Sequence, residues 1–232
     1  MFAPLTIIET LNDAQFTSRS ASMITDIIRS SIAQNDRALI GLSGGKTPGA
    51  IYDAVGQSSD IDWSKVWLFL VDDRYIRKDS PHSNQFLLHS TWLRHAPIPE
   101  SQLLFPNTTL KLEECIDEYE RVILDVFRRH TPDLLVLGMG TDGHIASLFA
   151  PLPEEASSKR AVIRTTTDRF EIYHRITLTL TALAKAKQAL FLLKGKDKKE
   201  IWEEMIKSTD DEKRWPGKGI MKHMGTTMVI AP

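Results

Sequence analysis

The chain has 232 residues, of which 42% are hydrophobic and 25% are charged. This length and composition predict one α/β domain over residues 1–232, large enough to bury a core without disulfide bonds. The formal net charge of −1 argues against nucleic acid and against an anionic membrane surface as partners, so local groups must meet any anion that the chain binds.

Cysteine usage and the first residues bear on the cellular compartment. Cys115 is the single cysteine, so no disulfide can form within the chain. Residues 1–12 contain no basic region and no small-residue cleavage site, and no apolar run approaches the length of a membrane span. These features predict a cytoplasmic protein.

Apolar periodicity and turn signals predict the elements of the first half. They are a strand at 5–9, a long helix after Asn12, a buried strand at 38–42, a helix ending near 55, a buried strand at 66–71 and a helix that begins at 83–84. Thr47 is the expected N-cap of the second helix, and Pro48 is its expected first residue.

The second half shows the same alternation. We expect a short strand at 103–105, a helix over about 111–130, strands at 134–138, 161–164, 173–180 and 188–193, a helix over about 197–207, a loop at 208–218 and a last strand at 226–230. The strand at 173–180 alternates in the manner of a sheet edge. Strands that alternate with helices predict an α/β fold with a single doubly wound, mostly parallel sheet and helices on both faces.

The strongest candidate for chemistry follows the strand at 134–138. Gly138, Gly140 and Gly143 allow the backbone to approach a ligand closely, and Asp142 is the expected cap of a helix that begins near His144. The carboxyl end of a parallel strand is where α/β proteins bind ligands, and the positive end of a helix would favour the neutral imidazole. We therefore predict that His144 is a general base.

Two other interpretations of these glycines stay open. The spacing Gly-x-Gly-x-x-Gly matches a dinucleotide-binding fingerprint, but it comes late in the chain, and the next strand carries Arg164 where that fold requires an acidic residue. The segment is also compatible with a tight turn in which Asp142 only caps and His144 is an ordinary surface residue.

A phosphate site is predicted after the strand at 38–42. Ser43, Gly44, Gly45, Lys46 and Thr47 precede a helix whose free backbone N–H groups and positive end suit a phosphate. The alternative is an ordinary capped turn with a solvated lysine. A nucleotide P-loop is not favoured, because its first glycine would have to stand at residue 40, which is an isoleucine.

Two further polar segments follow buried strands. Asp72 and Arg74 suit an anionic substrate better than a metal ion, because no dense cluster of metal ligands accompanies them, although a loop-capping ion pair is the alternative. Lys198, three residues after Gly195, is another potential anion contact or one of several solvated lysines. These two loops and the two glycine-rich loops all follow buried strands, so we expect them to meet in one pocket.

Several motifs together resemble one enzyme family. They are Leu-Ser-Gly-Gly-x-Thr-Pro at 42–48, Asp-x-Arg at 72–74 with Ser-Asn at 83–84, and Leu-Gly-Met-Gly-x-Asp-Gly-His-x-Ala-Ser-Leu-Phe at 137–149. With Arg-Ile-Thr-Leu at 175–178 and Gly-x-x-Lys at 195–198, their order and spacing resemble the 6-phosphogluconolactonase family from about residue 37 to 200. The likeness is most specific at Asp-Gly-His-x-Ala-Ser-Leu-Phe.

The resemblance implies a Rossmann-like three-layer α/β/α fold, no cofactor, no obligatory metal, and hydrolysis of a phosphosugar lactone, 6-phospho-D-glucono-1,5-lactone, in the pentose phosphate pathway. It implies that His144 activates water with Asp142 as its orienting partner, and that Arg74 faces the substrate or developing negative charge. The implied substrate and phosphate contacts are Ser43, Gly44, Gly45, Lys46, Thr47, Asp72, Arg175 and Lys198.

Departures from the family pattern leave alternatives open. Glucosamine-6-phosphate deaminases share Asp-Gly-His but usually continue Phe-Asn-Glu-Pro, where this chain has Ser-Leu-Phe-Ala at 147–150. A deaminase or isomerase activity is therefore one alternative, and a catalytically silent sugar-phosphate-binding protein is another. Asp73 replaces the family's glutamate, Lys46 replaces a small hydroxyl residue, and residues 215–232 do not resemble the usual closing segment.

Overall fold

A seven-stranded parallel sheet occupies the centre of the computed structural model, which describes residues 3–231 apart from the side chains of residues 228, 230 and 231. The strands in chain order are β1 (Leu5–Glu9), β2 (Ala38–Leu42), β3 (Val66–Leu70), β4 (Asp72–Arg74), β5 (Leu103–Leu104), β6 (Leu134–Leu137), β7 (Val162–Thr166), β8 (His174–Leu178), β9 (Gln188–Lys194) and β10 (Gly225–Ala231). The order in the sheet is β1-β10-β9-β6-β2-β3-β5.

Helices cover both faces of this sheet. They are α1 (Asp13–Asn35), α2 (Gly49–Gly56), α3 (Asn84–Ser90), α4 (Leu112–Arg129), α5 (Leu180–Leu183), α6 (Lys196–Lys207) and α7 (Pro216–Met221). The first three pack in one apolar cluster, and the other four pack in a second cluster on the opposite face. Neighbouring strand residues alternate between the clusters, with Ile40 in the first and Leu39 in the second. Because both faces are buried, the strands read as continuous apolar runs.

The predicted fold class is confirmed, but the chain forms a second sheet that the sequence did not reveal. This smaller sheet is antiparallel and has the order β4-β8-β7. The chain leaves the main sheet at Val71, and β4 then pairs with β8. The expectation that residues 173–180 form a sheet edge is therefore wrong, since β8 is the central strand of the small sheet. Its alternation arises because Ile176 and Leu178 join the second apolar cluster.

Two helix starts also differ from expectation. The second helix begins at Gly49, so Pro48 occupies the cap position without a side-chain hydrogen bond, and Thr47 is not the cap. The predicted loop at 208–218 contains the start of α7, which follows the buried Trp215. By contrast, the long helix begins directly after Asn12 as expected, and the Asn12 side chain caps it by accepting a hydrogen bond from the Gln15 N–H.

The strand order fixes where polar loops collect. From β2 the chain proceeds outward to β3 and β5, and it later returns to place β6 on the other side of β2. The loops after β2 and β6 therefore run to opposite faces and leave a crevice between them. Crevices of this kind, at the carboxyl ends of the strands, are where open α/β sheets bind ligands.

One hydroxyl completes the hydrogen bonding at the end of β3. Leu70 lies one residue beyond the last pairing with β5, which joins Phe69 to Leu104. The Tyr119 hydroxyl of α4 takes the place of the missing strand, since it accepts from the Leu70 N–H at 3.1 Å and donates to the Leu70 carbonyl at 2.6 Å. Both groups are buried, so no solvent can replace it.

We expect Tyr119→Phe to lower the free energy of unfolding by about 1 to 3 kcal/mol, because it leaves two buried backbone groups of Leu70 without partners. Urea denaturation followed by far-UV circular dichroism measures the change. Tyr173→Phe is the control, because Tyr173 is 46% exposed and should lose less than about 0.5 kcal/mol. Equal midpoints for the two variants would contradict this role of Tyr119.

Candidate active site

A cavity of about 590 Å³ opens at the carboxyl edge of the main sheet, within the range of small-molecule sites. It brings together almost every residue that the sequence singled out. The predicted residues that line it are Ser43, Gly44, Gly45, Lys46, Thr47, Asp72, Arg74, His144, Arg175 and Lys198. Asp142 does not line this cavity; it contacts the ring of His144 and borders a neighbouring depression with Arg169 and Arg214.

The segment that carries His144 is a folded loop, and the predicted helix at this point is wrong. Residues 143 and 146 adopt left-handed backbone conformations, with φ of +86° and +48°, which interrupt any helix. The Gly140 N–H donates to the His144 carbonyl at 2.8 Å and closes the loop on itself. The dinucleotide interpretation loses its basis, because that motif requires a helix after the glycines. The helix end that was expected to favour a neutral imidazole is likewise missing from this segment of the described chain.

Asp142 instead contacts the imidazole directly. Its Oδ1 lies 2.5 Å from His144 Nδ1, and its Oδ2 lies 2.5 Å from Nη1 of Arg169. Partial burial raises the pKa of Asp142, but the hydrogen bonds from His144 and Arg169 outweigh burial and hold that pKa well below its usual value. An ionised carboxylate only accepts hydrogen bonds, so the proton of the neutral ring lies on Nδ1. Nε2 is then free to accept a proton.

Aromatic side chains enclose the imidazole. The ring of Phe149 lies 4.7 Å from that of His144, and the ring of Phe170 lies 5.5 Å from it, measured between centroids. Phe170 belongs to the loop between β7 and β8 and also packs under the guanidinium of Arg175, at 5.6 Å. The histidine is therefore only 17% exposed, which restricts the water that can reach its ring.

Arg74 and Arg175 are directly opposite each other on β4 and β8. Each has a buried Nε that makes no hydrogen bond within the described residues. Burial lowers the pKa of Arg175, and the positive charge of Arg74 adds to that effect. Two neighbouring guanidinium groups with unsatisfied donors at the cavity wall are suited to an anionic ligand.

The negative charge of Asp72 offsets part of the positive charge of Arg175. Asp72 accepts hydrogen bonds from the Ser147 hydroxyl at 2.6 Å and from the Asn84 amide at 3.3 Å. That hydroxyl donates to a carboxylate and, among the described residues, makes no hydrogen bond with a histidine, so Ser147 is not part of a Ser-His pair of the kind that activates a nucleophile.

Asp73, which replaces the family's glutamate, does not line the cavity. It is fully buried and accepts from the backbone N–H groups of Arg74 and Asn84 at 2.8 and 2.7 Å, thereby fixing the start of α3. Burial raises the pKa of Asp73 to about 6, against the effect of these two hydrogen bonds. The shorter side chain therefore has a structural contact and no direct access to a ligand.

The loop after β2 approaches its neighbours closely. A Cβ at Gly44 would stand 1.7 Å from Oδ1 of Asn84, so only glycine fits there. The Tyr52 hydroxyl donates to the Ser43 carbonyl at 2.7 Å and holds the start of the loop. Lys46 is exposed at the cavity rim.

Lys198 reaches the same cavity from α6. Burial lowers its pKa, and the negative charges of Asp197 and Asp142 oppose that shift. The half-buried ammonium thus lacks part of its hydration and would gain from an anion in the cavity. Its exposed neighbour Lys196 points away, with 89% of its side chain accessible, and pairs with Glu200.

Sequence reasoning missed three residues of this site. Asn84 belongs to the Ser-Asn motif at 83–84, but no role was predicted for it. In the structure its amide donates to the Asp72 carbonyl at 2.8 Å and so fixes the position of Asp72. Arg169 and Phe170 stood in no motif, because they reach His144 and Asp142 from a loop 25 or more positions away along the chain. A contact of that separation leaves no periodic signal in one sequence.

Among residues 3–231, no group of three or more His, Cys, Asp and Glu side chains is arranged to hold a metal ion. Within the same range, none of the helices is long and apolar enough to cross a membrane.

Comparisons with known proteins agree with one another. The family model described as glucosamine-6-phosphate isomerases/6-phosphogluconolactonase matches residues 12–229. The probable 6-phosphogluconolactonase of Dictyostelium discoideum is 38% identical over 223 residues, which cover 94% of this chain and 94% of that protein. The 6-phosphogluconolactonase of Synechocystis is 30% identical over 216 residues, covering 90% of this chain and 88% of that protein. The crystal structure of 6-phosphogluconolactonase from Thermotoga maritima has a TM-score of 0.87 at 26% identity, covering 98% of this chain and all of that one.

The packing around Gly140 predicts a sharp difference between two glycine substitutions. A Cβ at Gly140 would stand 2.1 Å from His144 Nδ1 and 2.5 Å from Asp142 Oδ1, whereas a Cβ at Gly138 would meet nothing within 4 Å. We expect Gly140→Ala to separate the imidazole from the carboxylate and to abolish the downfield proton signal of His144 Nδ1 in the NMR spectrum. Gly138→Ala should keep that signal. An unchanged signal in Gly140→Ala would show that the loop accommodates the methyl group without parting the pair.

Proposed function

This chain belongs to the glucosamine-6-phosphate isomerase/6-phosphogluconolactonase family, and from that premise we propose that it hydrolyses 6-phospho-D-glucono-1,5-lactone to 6-phospho-D-gluconate, a step of the oxidative pentose phosphate pathway. The observation that carries the proposal is the contact between Asp142 and His144 at the wall of a cavity that also holds four cationic side chains. A base and a set of anion contacts are the two things that this reaction requires.

The reaction follows from the orientation of the imidazole. Nε2 of His144 accepts a proton from a water molecule as the water oxygen attacks the lactone carbonyl carbon. The Nδ1 proton points at Asp142, whose negative charge stabilises the imidazolium that forms. The ring C–O bond of the tetrahedral intermediate then breaks, and the proton held by His144 passes to the departing ring oxygen. Water is thus added across one ester bond, and no cofactor takes part.

Arg74 stabilises the negative charge that develops on the carbonyl oxygen. Its donors are fixed in advance, because Nη1 donates to the His82 carbonyl at 2.5 Å and the backbone N–H is held by Asp73. A positioned cation of this kind needs no reorganisation when charge appears, which is the main source of electrostatic catalysis. Asp72 offsets part of the positive charge and holds the surrounding loops through Ser147 and Asn84.

The phosphate is held by the loop over residues 43–47 together with Arg175 and Lys198. A dianion in a protein of net charge −1 must be met by local donors, and both cations have a pKa lowered by burial, so each gains when an anion arrives. Anchoring the remote phosphate also places the lactone carbonyl for attack.

The same considerations set the expected partners and compartment. The substrate is a small phosphosugar, and the near-zero net charge gives no attraction to nucleic acid. The proposed compartment is the reducing cytoplasm, which is consistent with a single cysteine, Cys115, that cannot form a disulfide within the chain. The sharing of one central sheet by both apolar clusters supports the proposal that residues 1–232 form one domain.

His144→Ala should lower turnover of the lactone by roughly 10² to 10⁴, because a positioned general base is lost. The affinity for substrate should change less, since the phosphate is anchored by other residues. Rates are measured against spontaneous hydrolysis, with His95→Ala as a control, since His95 pairs with Asp53 outside the cavity. Full activity of His144→Ala would remove this residue from catalysis.

The same assay separates the alternatives. A deaminase would release ammonia from glucosamine 6-phosphate, and the glutamate of the deaminase motif has no counterpart at residues 147–150. A silent binding protein would hold 6-phosphogluconate tightly while the lactone decays at the spontaneous rate. Ammonia release faster than lactone hydrolysis, or hydrolysis at background rate, would contradict the proposed reaction.

Lys198→Ala should weaken binding of 6-phosphogluconate by roughly 10- to 150-fold, because a charged hydrogen bond contributes roughly 1.5–3 kcal/mol. Lys46→Ser should weaken it less, since backbone N–H groups of the loop remain. Lys196→Ala is the matched control on the same helix, because its side chain is exposed. Isothermal titration calorimetry with 6-phosphogluconate and with gluconate assigns the loss to the phosphate. Equal affinities for Lys198→Ala and Lys196→Ala would exclude Lys198 from the phosphate site.

A further inference from the structure

The loop between β7 and β8 brings a cation to the far side of the Asp142 carboxylate. The Thr167 N–H donates to the Tyr173 carbonyl at 3.1 Å and closes this loop, and the Arg169 N–H donates to the Thr167 hydroxyl at 3.2 Å. The guanidinium of Arg169 then reaches Oδ2 of Asp142 at 2.5 Å. The strands on either side fix both ends of the loop, so the direction of this contact is built into the small sheet.

The two oxygens of Asp142 are therefore divided between two partners, His144 on Oδ1 and Arg169 on Oδ2. A carboxylate held at both oxygens cannot rotate about its last bond without breaking a charged hydrogen bond. Arg214 fixes the backbone of Asp142, because its guanidinium donates to the Asp142 carbonyl at 3.2 Å. The His144 ring and its backbone N–H, at 3.3 Å, both hold Oδ1, whereas Arg169 holds Oδ2, so the plane of the carboxylate is fixed from both sides.

The next residue of the same loop touches the imidazole itself. The Phe170 ring lies 5.5 Å from His144 and 6.1 Å from Phe149. One loop thus contacts both members of the pair, Asp142 through Arg169 and His144 through Phe170. A displacement of this loop would therefore change both contacts.

We propose that Arg169 is a positioning residue for the reaction: it holds Asp142 in the orientation that directs His144 Nε2 toward water, and its charge limits the basicity of the pair. The inference rests on the proposed lactonase function, since it assigns a partner to the base of that reaction. Arg169 acts through Asp142 and does not touch the reacting atoms.

Several charged groups besides Asp142 surround the imidazole of His144. These are Arg169 from the β7–β8 loop, Arg214 from the segment before α7, Lys198 from α6, Arg175 from β8 behind Phe170, and Arg74 and Glu171, which line the same cavity. Arg169 is the cation that contacts the Asp142 carboxylate directly. Its removal takes a positive charge away from the surroundings of the imidazole. It also removes the competing partner of the Asp142 carboxylate, whose negative charge then acts more strongly on His144. Both changes favour the protonated ring, so its titration should move to higher pH.

The test compares Arg169→Gln, Arg169→Lys and Arg164→Gln. Arg164 is the matched control, because it lies on β7 of the same hairpin and pairs with Glu113 of α4 at 3.0 Å, away from the cavity. In Arg169→Gln we expect kcat to fall by about two- to tenfold with little change in KM, and the acid limb of the rate profile to move up by roughly 0.5 pH unit. Arg169→Lys should keep the acid limb of the wild type and recover part of kcat.

A second readout does not depend on turnover. The His144 imidazole is titrated by NMR in the free protein, with its signal assigned from His144→Ala, and its midpoint should rise in Arg169→Gln but not in Arg164→Gln. An inactive wild type would refute the lactonase function, whereas this titration would still test the contact. If Arg169→Gln kept both the His144 titration midpoint and the kcat of the wild type, the proposal would be overturned. A rise in KM alone would also overturn it, because it would make Arg169 a substrate contact.

Discussion

Parallel pairing of β2 with β3 on one side and with β6 on the other determines where the polar groups of the site can lie. Leu42 pairs with Leu70 and with Val136, so these three strands end side by side, and the residues that follow them emerge at one edge. Since both faces of these strands are buried, a slip of one residue would exchange the side chains of the two apolar clusters. The register is therefore fixed, and the positions of Ser43, Asp72 and Gly138 follow from it.

The small antiparallel sheet adds charge to that edge. By leaving the main sheet after Val71, β4 places Arg74 opposite Arg175 at the cavity wall. Burial and mutual repulsion disfavour two such cations, and Asp72 and Asp73 beneath them offset only part of that cost. An anion that enters the cavity supplies compensating negative charge, so this arrangement favours a phosphorylated substrate. On the other wall, Asp142 holds the imidazole of His144 from behind.

Several features of this site could be predicted from the sequence, because local patterns encode them. Buried parallel strands read as apolar runs, and the polar residues after them must reach the same edge. The helix expected at His144 was wrong, because a left-handed Ala146 depends on the closure of the loop and has no signal in residue type. The small sheet was missed because three polar residues after an apolar strand resemble a loop. The contact of Arg169 with Asp142 joins distant segments, which one sequence does not reveal.

We propose that one cavity holds the phosphate by Arg175 and Lys198 and presents the lactone carbonyl carbon to His144. A crystal structure of the protein with 6-phosphogluconate bound would locate both ends of the ligand. We expect the phosphate in contact with Lys198 and the 43–47 loop, and the product carboxylate within hydrogen-bond distance of His144 Nε2. A phosphate bound against His144, with the carboxylate at Lys198, would overturn this binding mode.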